Sequence, residues 1–395
     1  MVKLEVKDVY KVFGPSPEKI VPLLQGGADK GAILKKHKHS VGVNRASFSV
    51  SESEIFVVMG LSGSGKSTLI RCLNRLIDPT AGAIKIDGED IAKASPNALR
   101  QIRRKKIAMV FQNFALLPHR SVLDNVAFGL EIQGMDAETR RKKAREMLEL
   151  VGLKGYADSK PSELSGGMQQ RVGLARALAT EADILLMDEA FSALDPLIRK
   201  DMQNELLALQ RKMKKTIVFI THDLDEALKI GDRIAIMKDG VIVQIGTPEE
   251  ILRHPADDYV TEFTRDVNRS RVLTASAVMR EAESIVLERS GVRIAMRRMR
   301  ELSISSIYVT DRAGKLLGIA RIDEVSKLAR ENREELASVV DREVEIVGPD
   351  APIDEIIPLF LKSAYPVAVV DGERTLKGII FKASVLAGIA GEEGA

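Results

Sequence analysis

A single cysteine, Cys72, stands among 395 residues, so no intramolecular disulfide can form and a reducing compartment is expected. No N-terminal signal peptide is legible, which adds to a cytoplasmic expectation. Charge of one sign is not in excess either. The 59 Lys and Arg against 56 Asp and Glu leave a formal net charge of +3, and nothing general calls for a nucleic-acid partner. Long hydrophobic runs are also missing: no apolar stretch approaches the ~20 residues that span a bilayer, so any service to a membrane comes from its side. What remains is an ordinary folded composition, 45% apolar and 29% charged, in a chain long enough for two or three domains.

The pattern along the chain is that of an α/β protein. Residues 2–13 alternate as a strand does. Residues 14–40 follow, with Pro15, Pro17, paired glycines and the basic run Lys35, Lys36, His37, Lys38, His39; the stretch 18–34 is expected to hold a short helix. Ile55–Met59 is a wholly apolar run of the buried-strand kind, giving way at Gly60 to a helix over 67–76. Helices are also expected over 97–106 and 137–151, with Arg100, Arg103, Arg104 and 140–143 read as solvated faces. Apolar runs at 107–111, 184–187, 217–220 and 234–237 alternate with helices. Past Ile251 the character changes, and 253–271 reads as a linker or docking helix. An internal repeat lies beyond it. Val309-Thr-Asp311 with Leu316-Leu-Gly-Ile319 returns 60 residues later as Val369-Val-Asp371 with Leu376-Lys-Gly-Ile379. Each copy predicts helix (294–302; 353–361), strand, turn, strand, helix, and a unit present twice implies two halves packed on each other.

Three strings carry chemistry. Gly60-Leu-Ser62-Gly63-Ser64-Gly65-Lys66-Ser67 fits G-x-x-x-x-G-K-[ST] between a buried strand and a helix, where backbone N–H groups curl around phosphate oxygens. Lys66 would meet the β- and γ-phosphates and the Ser67 hydroxyl would bind Mg²⁺. Ile184-Leu-Leu-Met-Asp188-Glu189 ends a strand on two carboxylates, one suited to hold Mg²⁺ and the next to polarise an attacking water. Such pairs are usually just solvated; beside a phosphate loop the pair becomes informative. Leu164-Ser165-Gly166-Gly167-Met-Gln169-Gln-Arg171 precedes an Ala-rich helix and forms a second anion site with no evident partner within one chain. Ser165 would serve equally as a plain helix cap.

In this order the three strings resemble the ATP-binding cassette family over about residues 1–250. The resemblance implies a P-loop nucleotide-binding domain, a RecA-like core with a helical subdomain at about 113–170. It implies ATP bound by Gly60, Ser62, Gly63, Ser64, Gly65, Lys66, Ser67 and Thr68, with Mg²⁺ at Ser67, Gln112 and Asp188. Glu189, His222 and Gln112 take the catalytic positions. Leu164, Ser165, Gly166, Gly167 and Gln169 match the signature that meets the ATP of a second copy, and Ser192 and Asp195 the loop that crosses the dimer interface. Phe13 is the candidate to stack on adenine, with Tyr10 as its rival.

Phe114-Ala-Leu-Leu-Pro-His119-Arg-Ser-Val-Leu-Asp-Asn125, Phe191-Ser-Ala-Leu-Asp-Pro-Leu-Ile-Arg199 and the basic insertion look like the ATPases of glycine betaine/proline osmoprotectant importers. The repeat is similar to a tandem pair of CBS domains, placed at 273–331 and 332–395 after a linker at 251–272. The resemblance implies an import ATPase, a homodimer on the cytoplasmic face of the plasma membrane. It would couple to an integral membrane permease, docked by the apolar Phe114, Leu116 and Leu117, and indirectly to a substrate-binding protein. Other readings stay open: the ATPase of another importer, a soluble cassette protein of translation or repair, and a nucleotide-sensing module. One cassette without long heptads speaks against the second of these. For the repeat, the glycine-anchored positions hold Arg321 and Glu324, then Phe381 and Ser384, without the Asp suited to a ribose hydroxyl. Two inputs are expected instead: ionic strength acting on Arg293, Arg297, Arg298 and Arg300, or a cyclic dinucleotide such as cyclic di-AMP.

Overall fold

Alternation over the first strand places Leu4, Val6 and Val9 in the core and their neighbours outside. This strand, β1 (Val2–Phe13), lies between β2 (Ser40–Ser51) and β4 (Ala81–Ile86), antiparallel to both, with β5 (Glu89–Asp90) at the edge. The computed structural model describes residues 1–112, 114–265, 267–363 and 365–390. The chain divides into two units, Met1–Arg265 and Asp266–Ala395. Where one helix is expected within 14–40 there are two, α1 (Val21–Gln25) and α2 (Lys30–His37). Gly26 and Gly27 separate them, and Asp29 caps α2 by accepting the Ala32 N–H at 2.9 Å. Ile20, Val21, Leu24 and Ile33 close a small core over Tyr10 and Val12.

A second sheet has the order β10-β9-β3-β8-β7-β6. β3 (Ile55–Met59), β6 (Ile107–Val110), β7 (Ile184–Asp188), β8 (Thr216–Thr221) and β9 (Arg233–Lys238) are parallel, and β10 (Val241–Gly246) is antiparallel at the edge. Every residue of β3, β7 and β8 is buried, which explains their unbroken apolar runs. The helices α3 (Lys66–Leu73), α4 (Pro96–Lys105), α8 (Pro196–Met213) and α9 (Leu224–Ile230) connect these strands. Phe56, Val58, Ile70, Leu186 and Ile220 belong to the shared core, each contributing about 1.5–3 kcal/mol by burial.

α5 (Val122–Ile132), α6 (Ala137–Leu150) and α7 (Gly166–Ala179) enclose a separate core of Val126, Leu130, Leu148 and Val172. The helical subdomain is expected at about 113–170; this core runs on to Ala179, and residue 113 lies outside the described residues. The stretch expected as a linker is divided. α10 (Pro248–Arg253) and α11 (Asp258–Phe263) belong to the first unit, with Ile251, Leu252 and Val260 buried in it, and the remainder of the stretch falls in the second unit. The composition there is polar because only one face of each short helix is covered.

In the second unit, α12 (Ala275–Val278) comes first. β11 (Ser284–Val286), β12 (Ser306–Thr310), β13 (Leu316–Arg321) and β14 (Val340–Asp341) form one sheet, with α13 (Val292–Glu301) and α14 (Ile322–Arg330). β15 (Ile346–Val347), β16 (Val367–Val370) and β17 (Leu376–Ile380) form the other, with α15 (Ile353–Ile356), α16 (Leu359–Lys362) and α17 (Lys382–Ala390). Pro358 divides the single helix expected over 353–361 into α15 and α16. Each half is completed by the other. Ala275 and Val278 enter the core of the second copy, while β14 extends the sheet of the first. The repeated hairpins meet through their backbones, Leu316 N–H donating to Arg374 O at 2.9 Å and Leu376 N–H to Gly314 O at 3.0 Å. Residues 391–395 of the expected second CBS copy lie outside the described residues.

Candidate nucleotide-binding and hydrolysis site

Parallel neighbours deliver their carboxyl ends to one edge of the sheet, so the loops after β3, β8, β7 and β6 converge. The loop after β3 is closely packed by its neighbours. Gly60, at φ 152°, would put a Cβ 2.1 Å from Met237 O; Gly65, at φ 104°, would put one 2.1 Å from Gly42 O. Only glycine fits at either place. The turn between β9 and β10 supports this loop: Gly240 N–H donates to Ser64 O at 2.8 Å, and Asn44 N–H to Gly240 O at 2.8 Å. Lys30 of α2 donates to Gly63 O at 3.3 Å, and Lys238 at the end of β9 lies 4.3 Å over the Tyr259 ring of α11.

Lys66 opens α3 with a buried ammonium that donates to Gly60 O at 2.7 Å and Leu61 O at 3.0 Å. Burial lowers its pKa, and the charges of Glu189 and Asp188 oppose that shift. The Ser64 hydroxyl is buried without a protein partner among the described residues, as befits a loop completed by ligand oxygens. Ser62 and Gly63 are exposed, and nothing crowds Gly63. A Cβ on Gly42 would lie 2.9 Å from Thr68 Cγ2 and 3.0 Å from Phe13 Cε2, so Thr68 and Phe13 share one corner. Phe13 is 41% exposed, whereas Tyr10 is 2% exposed in the core beneath α1 and α2. Of the two rings, Phe13 is the one open to a ligand.

Ser67 Oγ donates to Asp188 Oδ1 at 3.0 Å, and Asp188 Oδ2 lies 3.4 Å from the Arg71 guanidinium. A buried carboxylate beside a hydroxyl is the hard oxygen set that Mg²⁺ takes. Glu189 sits at φ 46°, a strained conformation for a non-glycine residue. Its Oε2 is 3.3 Å from Gln112 Nε2 and 3.3 Å from His222 Nδ1. Gln112 also donates to Ser192 Oγ at 3.3 Å, and Ser192 Oγ to Glu189 O at 2.9 Å. Residues far apart in sequence thus form one cluster.

Ser165 caps α7 by accepting the Met168 N–H at 3.4 Å, and Ser165 and Gly166 are exposed. Gly167 lies under Ile198, whose Cγ2 would be 2.6 Å from a Cβ. Two further signature positions turn inward. Leu164 is buried in the helical core, and Gln169 donates to Pro161 O at 3.1 Å and Leu164 O at 3.2 Å, holding the turn before α7. Asp195 caps α8, accepting the Ile198 N–H at 3.1 Å.

The ABC transporter family model matches residues 43–192, and the CBS domain model matches 275–331 and 336–391. The glycine betaine/carnitine transport ATP-binding protein GbuA of Listeria monocytogenes is 56% identical over 100% of this chain and 99% of its own length. The chain belongs to the ABC transporter family. The glycine betaine/proline betaine transport system ATP-binding protein ProV of Escherichia coli is 50% identical, covering 98% of this chain and 97% of its own. A solved dimer of a bacterial ABC transporter cassette is 33% identical with TM-score 0.53, covering 62% of this chain and 98% of that one. The α/β cassette with a CBS pair is therefore as expected, and ATP hydrolysis is the activity of this ABC subunit. No helix among the described residues is long and apolar enough to cross a membrane.

Three residues of the ABC subunit make contacts to which sequence reasoning gives no role. Arg71 could have been found, because it lies four residues after Ser67 on the same face of α3. Asn125 closes the string that begins at Phe114 but has no role assigned there, and Arg176 stands in none of the strings; both hold backbone carbonyls, and a carbonyl leaves no mark in a sequence.

Proposed function

We propose that this chain is the ATPase subunit that drives import of glycine betaine/proline-type compatible solutes through a separate integral membrane permease. It would act as a homodimer on the cytoplasmic face of the membrane and be served indirectly by a substrate-binding protein. The observation that carries the hydrolytic part is the meeting of Gln112, Glu189 and His222 beside Lys66, Ser67 and Asp188. The substrate class follows the relatives at 50–56% identity over nearly whole chains.

The phosphate loop and Lys66 hold the β- and γ-phosphates of ATP, and Phe13 offers its ring to adenine. Ser67 and Asp188, with Gln112, would hold Mg²⁺, which when bound offsets phosphate charge. Glu189 takes a proton from the attacking water as the new P–O bond forms and the bond to ADP breaks. Gln112 and His222 orient that water and the γ-phosphate. Ser165 and Gly166, exposed at the start of α7, complete the ATP site of the second copy, with Ser192 and Asp195 alongside the interface.

The second unit is read as regulatory. α13 exposes Arg293, Arg297, Arg298 and Arg300, of which Arg297 pairs with Glu301 and Arg298 with Glu283, exposed pairs that salt screens. A cleft of about 170 Å³ between the repeats is lined by Asp341, Glu343 and Glu345 as well as Arg321 and Lys362. Arg321 is already paired with Asp341, so the cleft is poorly suited to the phosphates of cyclic di-AMP, and ionic strength is the input the residues favour. Co-expression with candidate permeases, followed by ATP-driven uptake of a betaine panel in vesicles, tests the whole reading. A chain that copurifies with no polytopic membrane protein, or drives no uptake, overturns it.

A further inference from the structure

Phe114 and Ala115 lie two and three residues beyond the catalytic Gln112, at φ 55° and φ 47°, two successive left-handed residues without a glycine. Such a pair persists only where its surroundings hold it. The holder is Arg176, on the far part of α7: one guanidinium nitrogen donates to Ala115 O at 2.6 Å and another to Phe114 O at 2.8 Å. Burial pulls the pKa of this arginine below its ordinary value, and no carboxylate among the described residues lies within ion-pair distance of it. A cation that gives up water for two neutral carbonyls is costly unless the carbonyls need it. The loop also runs along the helix. The Phe114 ring would lie 4.0 Å from a Cβ on Gly166, and its carbonyl 3.8 Å from one on Gly173. It therefore lies alongside α7 from near Gly166, where the signature begins, to Arg176, where it is bonded.

We propose that Arg176 is a positioning residue that fastens the strained Phe114–Ala115 pair to α7, so that a push on this loop turns the signature helix as one body. The inference rests on the reading of this loop as the permease-facing surface. Leu116 does not share that role, because it packs on the helical core. The flat fork of arginine matches two successive carbonyls, and the single ammonium of lysine does not.

The test uses the full chain in the reconstituted transporter. Arg176→Lys should leave the ATP KM within about twofold and lower solute moved per ATP by about tenfold, the scale of one lost charged hydrogen bond. Ala115→Gly in the same chain should restore most of that coupling, because glycine occupies the left-handed region without penalty. A merely structural arginine would instead lower ATP turnover and transport in step, leaving the solute moved per ATP unchanged. Unchanged coupling in Arg176→Lys overturns the proposal, as does failure of Ala115→Gly to restore it. Should Arg176→Lys not accumulate as folded protein, recovery of folded chain by Ala115→Gly supports the clamp and continued failure overturns it. If the unaltered transporter itself moves no solute, the permease reading has failed; if it does and the variants match it, the clamp has.

Discussion

Oε2 of Glu189 is shared: His222 Nδ1 approaches it at 3.3 Å from the end of β8, and Gln112 Nε2 at 3.3 Å from the end of β6. A single oxygen ringed by two nitrogens is a defined place for a proton to arrive. Glu189→Gln keeps the shape and removes the acceptor, so turnover should fall by about 10²–10⁴-fold while ATP binding survives. Phosphate release at saturating MgATP measures the first, and accumulation of a nucleotide-bound dimer in size exclusion the second. Turnover above a tenth of the unaltered chain would rule out Glu189 as the base.

The candidate site was legible because its chemistry is local: a glycine loop between strand and helix, and carboxylates at a strand end. Their convergence rests on the parallel strand order, which aligns the carboxyl ends along one edge of the sheet. Illegible parts depend on contacts across the chain. Gln169 reads as a ligand contact and is spent on Pro161 O and Leu164 O. Residues 251–265 read as linker, because Ile251, Leu252 and Val260 are too few to look like a core until the surface they cover is known. The exchange of α12 and β14 between the repeats had no sequence sign, for a repeat shows similarity and not which half a segment packs on.

Cys72 lies in α3, five residues after Ser67, fully buried, with its thiol pushed up to about 12 by burial. The thiolate is the reactive form, so the folded chain should alkylate very slowly at pH 8. MgATP should slow labelling further by restraining the helix that carries Lys66, and urea should make it fast. Rapid labelling of folded protein, unaffected by nucleotide, would contradict the buried placement.

A chain ended at Arg265 keeps Ile251, Leu252 and Val260; one ended at 250 loses all three. At about 1.5–3 kcal/mol for each buried side chain, the shorter piece forfeits an amount comparable with the ~5–15 kcal/mol net stability of an ordinary domain. Urea unfolding should show a cooperative cassette for 1–265 and a strongly destabilised or unfolded one for 1–250. Equal midpoints would mean that α10 and α11 are mere passengers.

Asp371 ties the second repeated hairpin. Its Oδ1 accepts the Thr375 N–H at 2.8 Å and the Glu373 N–H at 3.0 Å, and Lys377 lies 3.1 Å from Oδ2. These bonds, that from Thr375 foremost, hold its pKa at about 2 against an ordinary 3.8. A carboxyl lowered on folding stabilises the fold above its unfolded pKa. That contribution should be complete above about pH 4 and vanish as pH falls towards 2. Asp371→Asn should flatten this limb of the stability curve for the second unit, read by thermal melts from pH 2 to 6. An unchanged limb would place the acid sensitivity elsewhere.

Asn125 is fully buried, and one amide organises the loop before α5. Its Oδ1 accepts the Leu117 N–H at 2.7 Å, while its Nδ2 donates to Leu117 O at 3.0 Å and Ser121 O at 2.9 Å. Asn125→Asp preserves size and the first bond but turns a donor into an oxygen facing two carbonyls. The buried mismatch should cost about 2–5 kcal/mol at pH 7, read from the urea midpoint. Protonation restores a donor, so the carboxyl pKa of the variant should be raised on folding. The stability gap from the unaltered chain should then be smallest below the unfolded pKa of ~4 and widen as pH rises through the folded value. A gap that is the same at pH 4 and pH 8 would show that the loop does not depend on that donor.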